Sequence, residues 1–460
     1  MTRRYRICEY EEDGEVSAVP SREFLVSCNE TAAHVSEISS KAQRWLQAPW
    51  TVAKELFLPI GFPHTVKEGY LEYQLYDSLQ GLCSYLRGVL CSAQVLQAAG
   101  VGNEQATALA AALTWALKDG MGMIGGLAFS YVASPFFDAH VKEFRLFADL
   151  INDVGLTLDM LAPLVLGTRN LLAISSAATF CKTLCGMSAA ATKASITQYF
   201  AITGNMADLN AKESTQETLV SLLGMMMGAT LASQLQQYEE HHKDLSQAIQ
   251  WCIFVFLTAV HVWANWMGVC LLRLNTLNQA RANILLQSIF QNDGRQLHNS
   301  VSAIHLPRPS DVNESLLVST SHIFFSGRLQ LTAHPTEMLQ QLQDPKAIEQ
   351  VLSNFASEKY LVLVHKKQVQ TCMLQGATNA DEIKAYCHAM ALSKALGSSQ
   401  NQTDSSILER QVSKEINVLF SSSTKETIPN LLRREGWDVD GRVYLGFPRR
   451  RFAIVASKDE

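Results

Sequence analysis

The strongest apolar run in the chain covers residues 248–272 and contains no Asp, Glu, Lys or Arg. Because an α-helix rises about 1.5 Å per residue, roughly 20 apolar residues cross the hydrocarbon core of a bilayer. This run is therefore long enough to span a membrane. The alternative is a central helix of a large soluble bundle, which an apolar run alone does not separate from a span.

Weaker apolar stretches occupy the rest of the middle of the chain, and each is short or interrupted by charge. They cover residues 79–100, 106–134, 154–178 and 218–233, and the third can be two helices broken near Gly167. Since a charge that faces lipid is unfavourable, we expect these helices to pack around 248–272 with their charges turned inward or placed at the interface.

Two pairs of glycines favour close packing of these helices. Gly122 and Gly126 are four residues apart, as are Gly224 and Gly228. Glycines at this spacing share one face of a helix and let a second backbone approach closely inside a membrane. We therefore expect helix contacts at both pairs.

The pattern changes in the C-terminal third. Short β-rich runs at 359–364 and 369–374 predict a hairpin, and apolar positions at helical spacing predict helices around it. The predicted fold class is mainly α, with a membrane-embedded bundle of about four to six buried helices followed by a small soluble α+β domain. The predicted domains are a polar N-terminal segment at 1–55, the membrane helical domain at 56–285, a linker at 286–325 and the soluble domain at 326–460.

Composition narrows the class of protein. The 460 residues are 47% hydrophobic and 18% charged, with a formal net charge of −5. Such apolar content excludes disorder over most of the chain. A mildly acidic chain has no global field that attracts phosphates, which argues against nucleic acid as a partner. Ten scattered cysteines are too few for a disulfide scaffold.

The N-terminal region bears on the compartment. It carries an acidic cluster between Glu9 and Glu15 and has no apolar run of the length that a secretory signal needs. Transit peptides are poor in acidic residues. We therefore expect an integral protein of an internal, ER-like membrane facing the cytosol, with a plastid as the alternative although no transit peptide is seen.

No motif for a catalytic nucleophile, a phosphate-binding loop or a metal site is present, so no catalytic or metal-ligating residue is predicted. His261 lies inside the strongest apolar run, and we interpret it as a buried neutral histidine with one partner. Polar clusters at the edges of the apolar helices are the candidate site. They comprise Lys118, Asp119, Arg145, Asp149, Asn152, Asp153, Asn205, Asp208, Lys212, Gln216 and Glu217.

Three interpretations of these polar clusters are open. In the first they are structural ion pairs that cap the bundle at a membrane face. In the second they line a polar pocket that binds a charged small molecule. A desolvated Lys118 or Lys212 could even bond covalently to an aldehyde, which is a third and less favoured alternative.

Four long motifs carry a family resemblance. In chain order they are LPIGFPHTVKEGYLEYQLYDSLQG, GVGNEQATALAAALTWALKDGMGMIGGLAF, FRLFADLINDVG and NMADLNAKESTQETLV. Together they resemble the root UVB sensitive family of eukaryotes, from about residue 56 to 281. Two positions depart from the family pattern, because Gly126 stands where an Arg is usual and Phe144 where a Trp is usual.

The resemblance implies a role in vitamin B6 homeostasis, protection from ultraviolet-B, seedling and root development, and auxin transport. It implies no catalytic residues. Three hypotheses follow: a non-catalytic membrane scaffold or adaptor, a transporter-like carrier of a B6 vitamer, and, last, a lysine-dependent enzyme. We expect no cofactor, with pyridoxal phosphate or another vitamer as a ligand, and as partners the lipid membrane and a family paralogue or a second copy of the chain.

Overall fold

The computed structural model describes residues 3–9, 22–28, 33–37, 52–98, 108–164, 168–239, 242–290, 301, 304–318, 329–342, 344–366, 368–398, 405–421, 427–441 and 443–454. The chain forms two compact units, Met1–Leu272 and Arg273–Glu460. Each unit has its own elements and its own buried residues.

The first unit begins with a three-stranded antiparallel sheet. Its strands are β1 (Arg3–Glu9), β2 (Arg22–Cys28) and β3 (Ala33–Glu37), in the order β1-β2-β3. Tyr5 lies opposite Val26, and Val26 lies opposite Val35. The sequence pattern predicts only a polar segment at 1–55.

Long helices make up the rest of the first unit. They are α1 (Tyr70–Ala98), α2 (Ala108–Ala133), α3 (Val141–Leu161), α4 (Thr168–Phe200), α5 (Met206–Glu239) and α6 (Lys243–Leu271). The predicted stretch 154–178 is divided between α3 and α4, as expected. Helix α1 is central, because it packs against α3, α5 and α6, while α3 packs along α4 and α2 packs on α4.

The outer surface of this bundle is apolar. Leu127 on α2 is 72% exposed and Phe256 on α6 is 66% exposed. Within the part of the chain that the structure describes, three helical segments are long and apolar enough to cross a membrane, Asn170–Phe200, Met206–Glu239 and Asp244–Leu271. A soluble monomer rarely exposes large apolar side chains over such an area. The predicted fold class, mainly α with a small α+β part, is confirmed.

Glycines set the distance between neighbouring helices, as predicted from their spacing. A Cβ added at Gly224 would lie 2.6 Å from the Cβ of Tyr85 on α1, and one at Gly228 would lie 2.9 Å from the Cβ of Val89. A Cβ at Gly122 would lie 2.9 Å from side-chain atoms on α4. Helices α1 and α5 therefore approach too closely for a larger residue at the glycine positions.

The second unit is built on a small mixed sheet with helices packed around it. Its strands are β4 (Leu329–Gln330), β5 (Tyr360–His365) and β6 (Gln368–Met373), in the order β4-β6-β5. Strands β5 and β6 form the predicted hairpin, and β4 runs parallel to β6. The helices are α7 (Gln279–Gln287), α8 (Pro309–Val318), α9 (Pro335–Gln340), α10 (Pro345–Asn354), α11 (Asn379–Ser398), α12 (Ser405–Phe420) and α13 (Ile428–Arg434).

Local sequence explains where two of these helices begin. The side chain of Asn278 accepts a hydrogen bond from the amide of Arg281 at 2.8 Å and caps α7. Asp344 caps α10 in the same way through the amide of Lys346, and Pro345 follows it at the first helical position. Both arrangements satisfy amide groups that a helix start leaves unpaired.

The core of the second unit lies between α11 and the sheet. Tyr386 on α11 is buried and donates a hydrogen bond to Oδ1 of Asn283 on α7 at 2.6 Å, which ties α7 to this core. Several residues of the predicted linker are buried in the same core: Ile289, Phe290, Val301, Ile304, Leu306 and Val312.

A buried histidine links β5 and α12 through hydrogen bonds in this core. His388 on α11 lies with Nδ1 3.2 Å from the hydroxyl of Tyr360 on β5 and Nε2 3.2 Å from Oγ of Ser413 on α12. Burial, with a smaller contribution from Lys384, lowers the pKa of His388 to about 3. The ring is therefore neutral at physiological pH.

Replacing Gly224 with Ala is expected to destabilise the bundle by about 1–3 kcal/mol, because the added methyl overlaps a Tyr85 atom held close to the backbone. The matched control is Gly186→Ala, where an added Cβ meets no atom within 4 Å. That change is expected to be neutral or stabilising by up to about 1 kcal/mol, since Ala favours a helix. Thermal unfolding in detergent measures both, and equal midpoints would contradict the packing.

Because the pKa of the buried His388 is lowered, the folded state is expected to lose stability in acid. The unfolded chain binds a proton at His388 near pH 6.5, whereas the folded chain binds it only near pH 3. Acidification from about pH 6.5 towards pH 3 therefore favours unfolding, by at most about 1.4 kcal/mol per pH unit for one group.

The measurement is hydrogen exchange of β5 and α11 peptides in the full chain, corrected for the intrinsic pH dependence of exchange. His388→Gln is expected to flatten the acid-induced loss of protection. His334→Gln, at an exposed position, is expected to leave it unchanged. The account fails if His388→Gln and the parent chain lose protection in parallel.

Candidate functional site

A polar cavity of about 330 Å³ lies inside the helical bundle of the first unit. Four helices contribute its walls, α1, α3, α4 and α5. Among the predicted site residues, five line it: Arg145, Asp149, Asn152, Gln216 and Glu217. The remaining polar lining includes Gln74, Asp77, Ser84 and Glu213.

An ion pair between α1 and α3 forms one wall. Nη2 of Arg145 lies 2.5 Å from Oδ1 of Asp77, and its Nε lies 3.8 Å from Oδ2 of Asp149. Arg145 and Asp149 are four residues apart, so they share a face of α3 as the spacing predicted. One turn further on, Asn152 donates a hydrogen bond to Oγ of Ser84 at 3.0 Å.

Glu213 forms the opposite wall. It is buried on α5, and its carboxylate accepts hydrogen bonds from Nε2 of Gln74 at 3.1 Å and from Oγ1 of Thr197 at 2.8 Å. Its neighbour Glu217 pairs with Lys193 at 2.6 Å. Within the described residues Glu213 forms no ion pair, and both of its hydrogen-bond donors are neutral.

The cavity is therefore acidic. Four carboxylates line it, those of Asp77, Asp149, Glu213 and Glu217, against the single guanidinium of Arg145. Lys193, beside Glu217, adds one further cation. Among the described residues, two buried lining atoms have no hydrogen-bond partner, Oδ2 of Asp149 and Oε1 of Gln216. These unsatisfied acceptors, together with the excess of carboxylates, fit a bound donor of positive charge.

A second polar network lies deeper, between α1, α3 and α6. Arg87 is fully buried and donates hydrogen bonds to Asp153 at 2.6 Å and to Oγ1 of Thr258 at 2.9 Å. His261, also fully buried, holds Nδ1 3.1 Å from a carboxylate oxygen of Asp153. Asp153, a predicted site residue, therefore faces this network and not the cavity.

The polar stripe of α5 anchors the segment that precedes α1. Asp208 accepts a hydrogen bond from the amide of Ile60 at 2.8 Å, and Lys212 donates to the carbonyl of Glu55. Gln216 donates to the carbonyl of Phe57 at 2.6 Å and also lines the cavity. The spacing of four was predicted, and the contacts at Asp208 and Lys212 hold the backbone of this segment in place.

Three predicted residues lie apart from the cavity. Lys118 and Asp119 lie on α2, with Asp119 exposed, and Asn205 directly precedes α5. None of the three lines the cavity. The structure thus joins part of the predicted set and separates the rest.

Several residues of the two networks were not predicted. Local sequence patterns do not indicate a site at Asp77, Gln74 or Glu213, because the partners of these residues lie on other helices, far away in the sequence. Arg87 offered a signal, since it is the single charge in the stretch 79–100. An isolated charge in an apolar helix implies a partner on another helix.

Within the described residues, no group of three or more His, Cys, Asp or Glu side chains is placed to hold a metal ion.

Comparison with known families identifies the chain. Residues 43–293 match the model of the vitamin B6 photo-protection and homoeostasis domain. Residues 305–440 match the model of the root UVB sensitive protein C-terminal region. The chain belongs to the root UVB sensitive family. The cavity and α3 both lie within the residues that match the vitamin B6 photo-protection and homoeostasis domain.

Similarity to individual proteins supports the same family assignment. The chain is 33% identical to root UVB sensitive 3 of Arabidopsis thaliana over 80% of each protein. It is 32% identical to RUS family member 1 of Dictyostelium discoideum over 67% of this chain, which spans 56% of that longer relative. It is 27% identical to the chloroplastic root UVB sensitive 2 of Arabidopsis thaliana over 84% of this chain. No solved structure matches this root UVB sensitive protein.

The buried pair of Arg87 and Asp153 predicts a strongly non-additive mutant series. Asp153→Leu or Arg87→Met alone leaves a buried charge without its partner and is expected to destabilise the fold by about 3–5 kcal/mol. The double change to apolar residues, Arg87→Met with Asp153→Leu, is expected to be less destabilising than the sum of the single changes.

Thermal unfolding in detergent measures the series. Asp440→Asn is the control, because the Arg433–Asp440 pair has a similar distance of 2.6 Å but lies on the surface, where pairs contribute little. Additive single and double effects would show that the pair is not coupled.

Proposed function

We propose that this protein is a membrane-embedded binding protein and carrier for a small organic cation, and that the acidic cavity between α1, α3, α4 and α5 is its binding site. The single observation that carries the proposal is the excess of carboxylates around a cavity inside a bundle with an apolar exterior. Polar groups in such a setting usually serve a substrate or ion pathway.

The charge balance supports a cation as the solute. Asp77 is neutralised by Arg145, and Glu217 by Lys193. Arg145 is shared, because Oδ2 of Asp149 also lies 3.8 Å from its Nε, so one guanidinium faces two carboxylates. Within the described residues Oδ2 of Asp149 accepts no hydrogen bond, and the hydrogen-bond donors to Glu213 are neutral. Surrounded by helices and lipid, these two carboxylates need a proton or a bound cation to compensate their charge.

The size supports a single-ring solute. A volume of about 330 Å³ lies at the lower end of ligand cavities in proteins. Side chains of Tyr85 and Val220 add apolar surface to the polar lining. A flat ring with a protonated amine would place its ring on these side chains and its amine at Asp149 and Glu213.

The match to the vitamin B6 photo-protection and homoeostasis domain favours a B6 vitamer as the solute. Of the vitamers, pyridoxamine carries a primary amine that is protonated at neutral pH, and it matches the acidic lining. A phosphorylated vitamer would bring two further negative charges to carboxylates that already repel one another. The proposal therefore favours pyridoxamine over pyridoxal phosphate in this cavity.

The other hypotheses stay predictions. Within the described residues no lysine lines the cavity, and the ammonium group of Lys212 is held by the carbonyl of Glu55. The lysine-dependent enzyme stays a prediction. The adaptor hypothesis concerns partners, and its test is a partner-binding experiment with the second unit. A role in auxin transport or development likewise stays a prediction.

Proteoliposomes that contain the full chain are expected to take up radiolabelled pyridoxamine faster than protein-free vesicles. Asp149→Asn and Glu213→Gln are each expected to weaken equilibrium binding of pyridoxamine in detergent by about tenfold or more, because each removes a hydrogen bond between opposite charges. Asp119→Asn, an exposed carboxylate of α2 outside the cavity, is the matched control and is expected to bind as the parent does.

Two results would count against this proposal. One is uptake equal to that of protein-free vesicles together with no measurable binding. The other is equal binding by the two cavity variants and the control. Thermal unfolding of each variant, measured in parallel, separates a loss of binding from a loss of fold.

A further inference from the structure

The second unit contains a larger cavity, of about 620 Å³, which plays no part in the proposed carrier function. It lies between α10, strand β5, α11 and α12. Its lining combines an apolar side with a cluster of polar groups on α12. The buried His388 also lines it.

The polar side is a single face of α12. Arg410, Ser413, Lys414 and Asn417 all line the cavity, and they follow one another at spacings of three, one and three residues. Residues at this spacing share a helix face. Arg410 and Lys414 are exposed and form no ion pair with a described residue, so both positive charges are available to a ligand.

Among the described lining residues, Glu409 is the one carboxylate. Its Oε1 accepts a hydrogen bond from the amide of Val364 on β5 at 3.0 Å. The carboxylate is thus engaged with the strand edge, and the face of α12 that borders the cavity has a net positive charge.

The hydrogen-bond chain through His388 fixes the role of Ser413. The Tyr360 hydroxyl is buried, and Nδ1 of His388 is its hydrogen-bond partner within the described part of the chain. A buried hydroxyl donor is rarely left unpaired, so Tyr360 donates to Nδ1. Since the ring is neutral, its one hydrogen is then on Nε2, which donates to Oγ of Ser413 at 3.2 Å.

This tautomer decides what Ser413 can do. A histidine that already holds hydrogen on Nε2 cannot remove the proton of Ser413, so the pair is not a nucleophile with its base. Instead Ser413 accepts from His388, and its own hydroxyl hydrogen, which has no acceptor within the described residues, can be donated into the cavity. Ser413 is thereby a positioned donor between two cations.

The opposite side of the cavity accepts an apolar group. Val351 and Phe355 from the α10 region and Leu392 from α11 line it, and the Phe355 ring stacks on His388 with centroids 5.8 Å apart. The cavity therefore presents an apolar, partly aromatic wall facing a row of hydrogen-bond donors.

We propose that this cavity binds a small organic anion, whose anionic oxygens contact Ser413, Arg410 and Lys414 and whose apolar or aromatic body packs against Val351, Phe355 and Leu392. The shape and charge fit a ring that carries a phosphate ester or a carboxylate. The site is independent of the acidic cavity in the first unit, which has the opposite charge preference.

The test uses the full chain in detergent, with pyridoxine 5′-phosphate as the probe because it joins a ring to a phosphate and lacks an aldehyde that would react with lysines. Isothermal titration measures its dissociation constant, and those of pyridoxine and of inorganic phosphate. We expect the phosphate ester to bind at least about tenfold more tightly than either fragment, since only the ester uses both sides of the cavity.

Variants locate the binding site. Ser413→Ala and the double variant Arg410→Gln with Lys414→Gln are each expected to weaken binding of pyridoxine 5′-phosphate by about tenfold or more. Ser413→Thr keeps the hydroxyl and is expected to retain binding. Lys346→Gln removes an equivalent positive charge from α10 outside the cavity and is expected to have no effect.

The exposed positions of Arg410 and Lys414 keep the test decisive, because their replacement leaves the core intact. Absence of binding by the parent chain overturns the proposal, as does binding that the Arg410 and Lys414 double variant retains. Equal affinity for inorganic phosphate overturns the organic part of the ligand. Asp149→Asn, in the first unit, is expected to leave this binding unchanged, so failure of the carrier proposal and failure of this one are distinguishable.

Discussion

The need to compensate buried charge governs the helical bundle. Arg87 is fully buried among helices with apolar exteriors, and it is held by Asp153 and Thr258. Because an uncompensated guanidinium would be strongly unfavourable there, α1 must face α3 and α6 at this level. The positions of α1 and α3 in turn place Asp77 opposite Arg145, which forms one wall of the acidic cavity.

Packing and charge act together in this arrangement. Gly224 and Gly228 let α5 lie close to α1, and the close approach brings Glu213 within hydrogen-bond distance of Gln74. A bulkier pair of residues would separate the helices and leave Glu213 without a donor from α1. The cavity thus depends on small residues in the α1–α5 contact as much as on the polar residues themselves.

Features that depend on residue spacing within one helix or hairpin could be predicted from the sequence. These features are the apolar helices and the β5–β6 hairpin. They also include two shared helix faces, that of Arg145 with Asp149 and that of Asp208 with Lys212. The contacts of Glu213 and Asp77 and the Tyr360–His388–Ser413 chain could not be predicted, because their partners lie 25 to 139 residues apart in the sequence. Nor could the sequence show that Asp153, next to Asn152, faces a different network, since a step of one residue turns a helical side chain by about 100°.

The central claim is that lipid surrounds the outer face of the bundle, since only then do the buried charges and the acidic cavity lie inside a membrane. Photo-cross-linking in native membranes tests this most directly, with Phe256 replaced by p-benzoyl-phenylalanine and Val418, an exposed apolar residue of α12, replaced likewise as a control. The account predicts lipid adducts at position 256 in excess of those at position 418. Adducts to water-soluble proteins alone at position 256, with no lipid adduct, would contradict it.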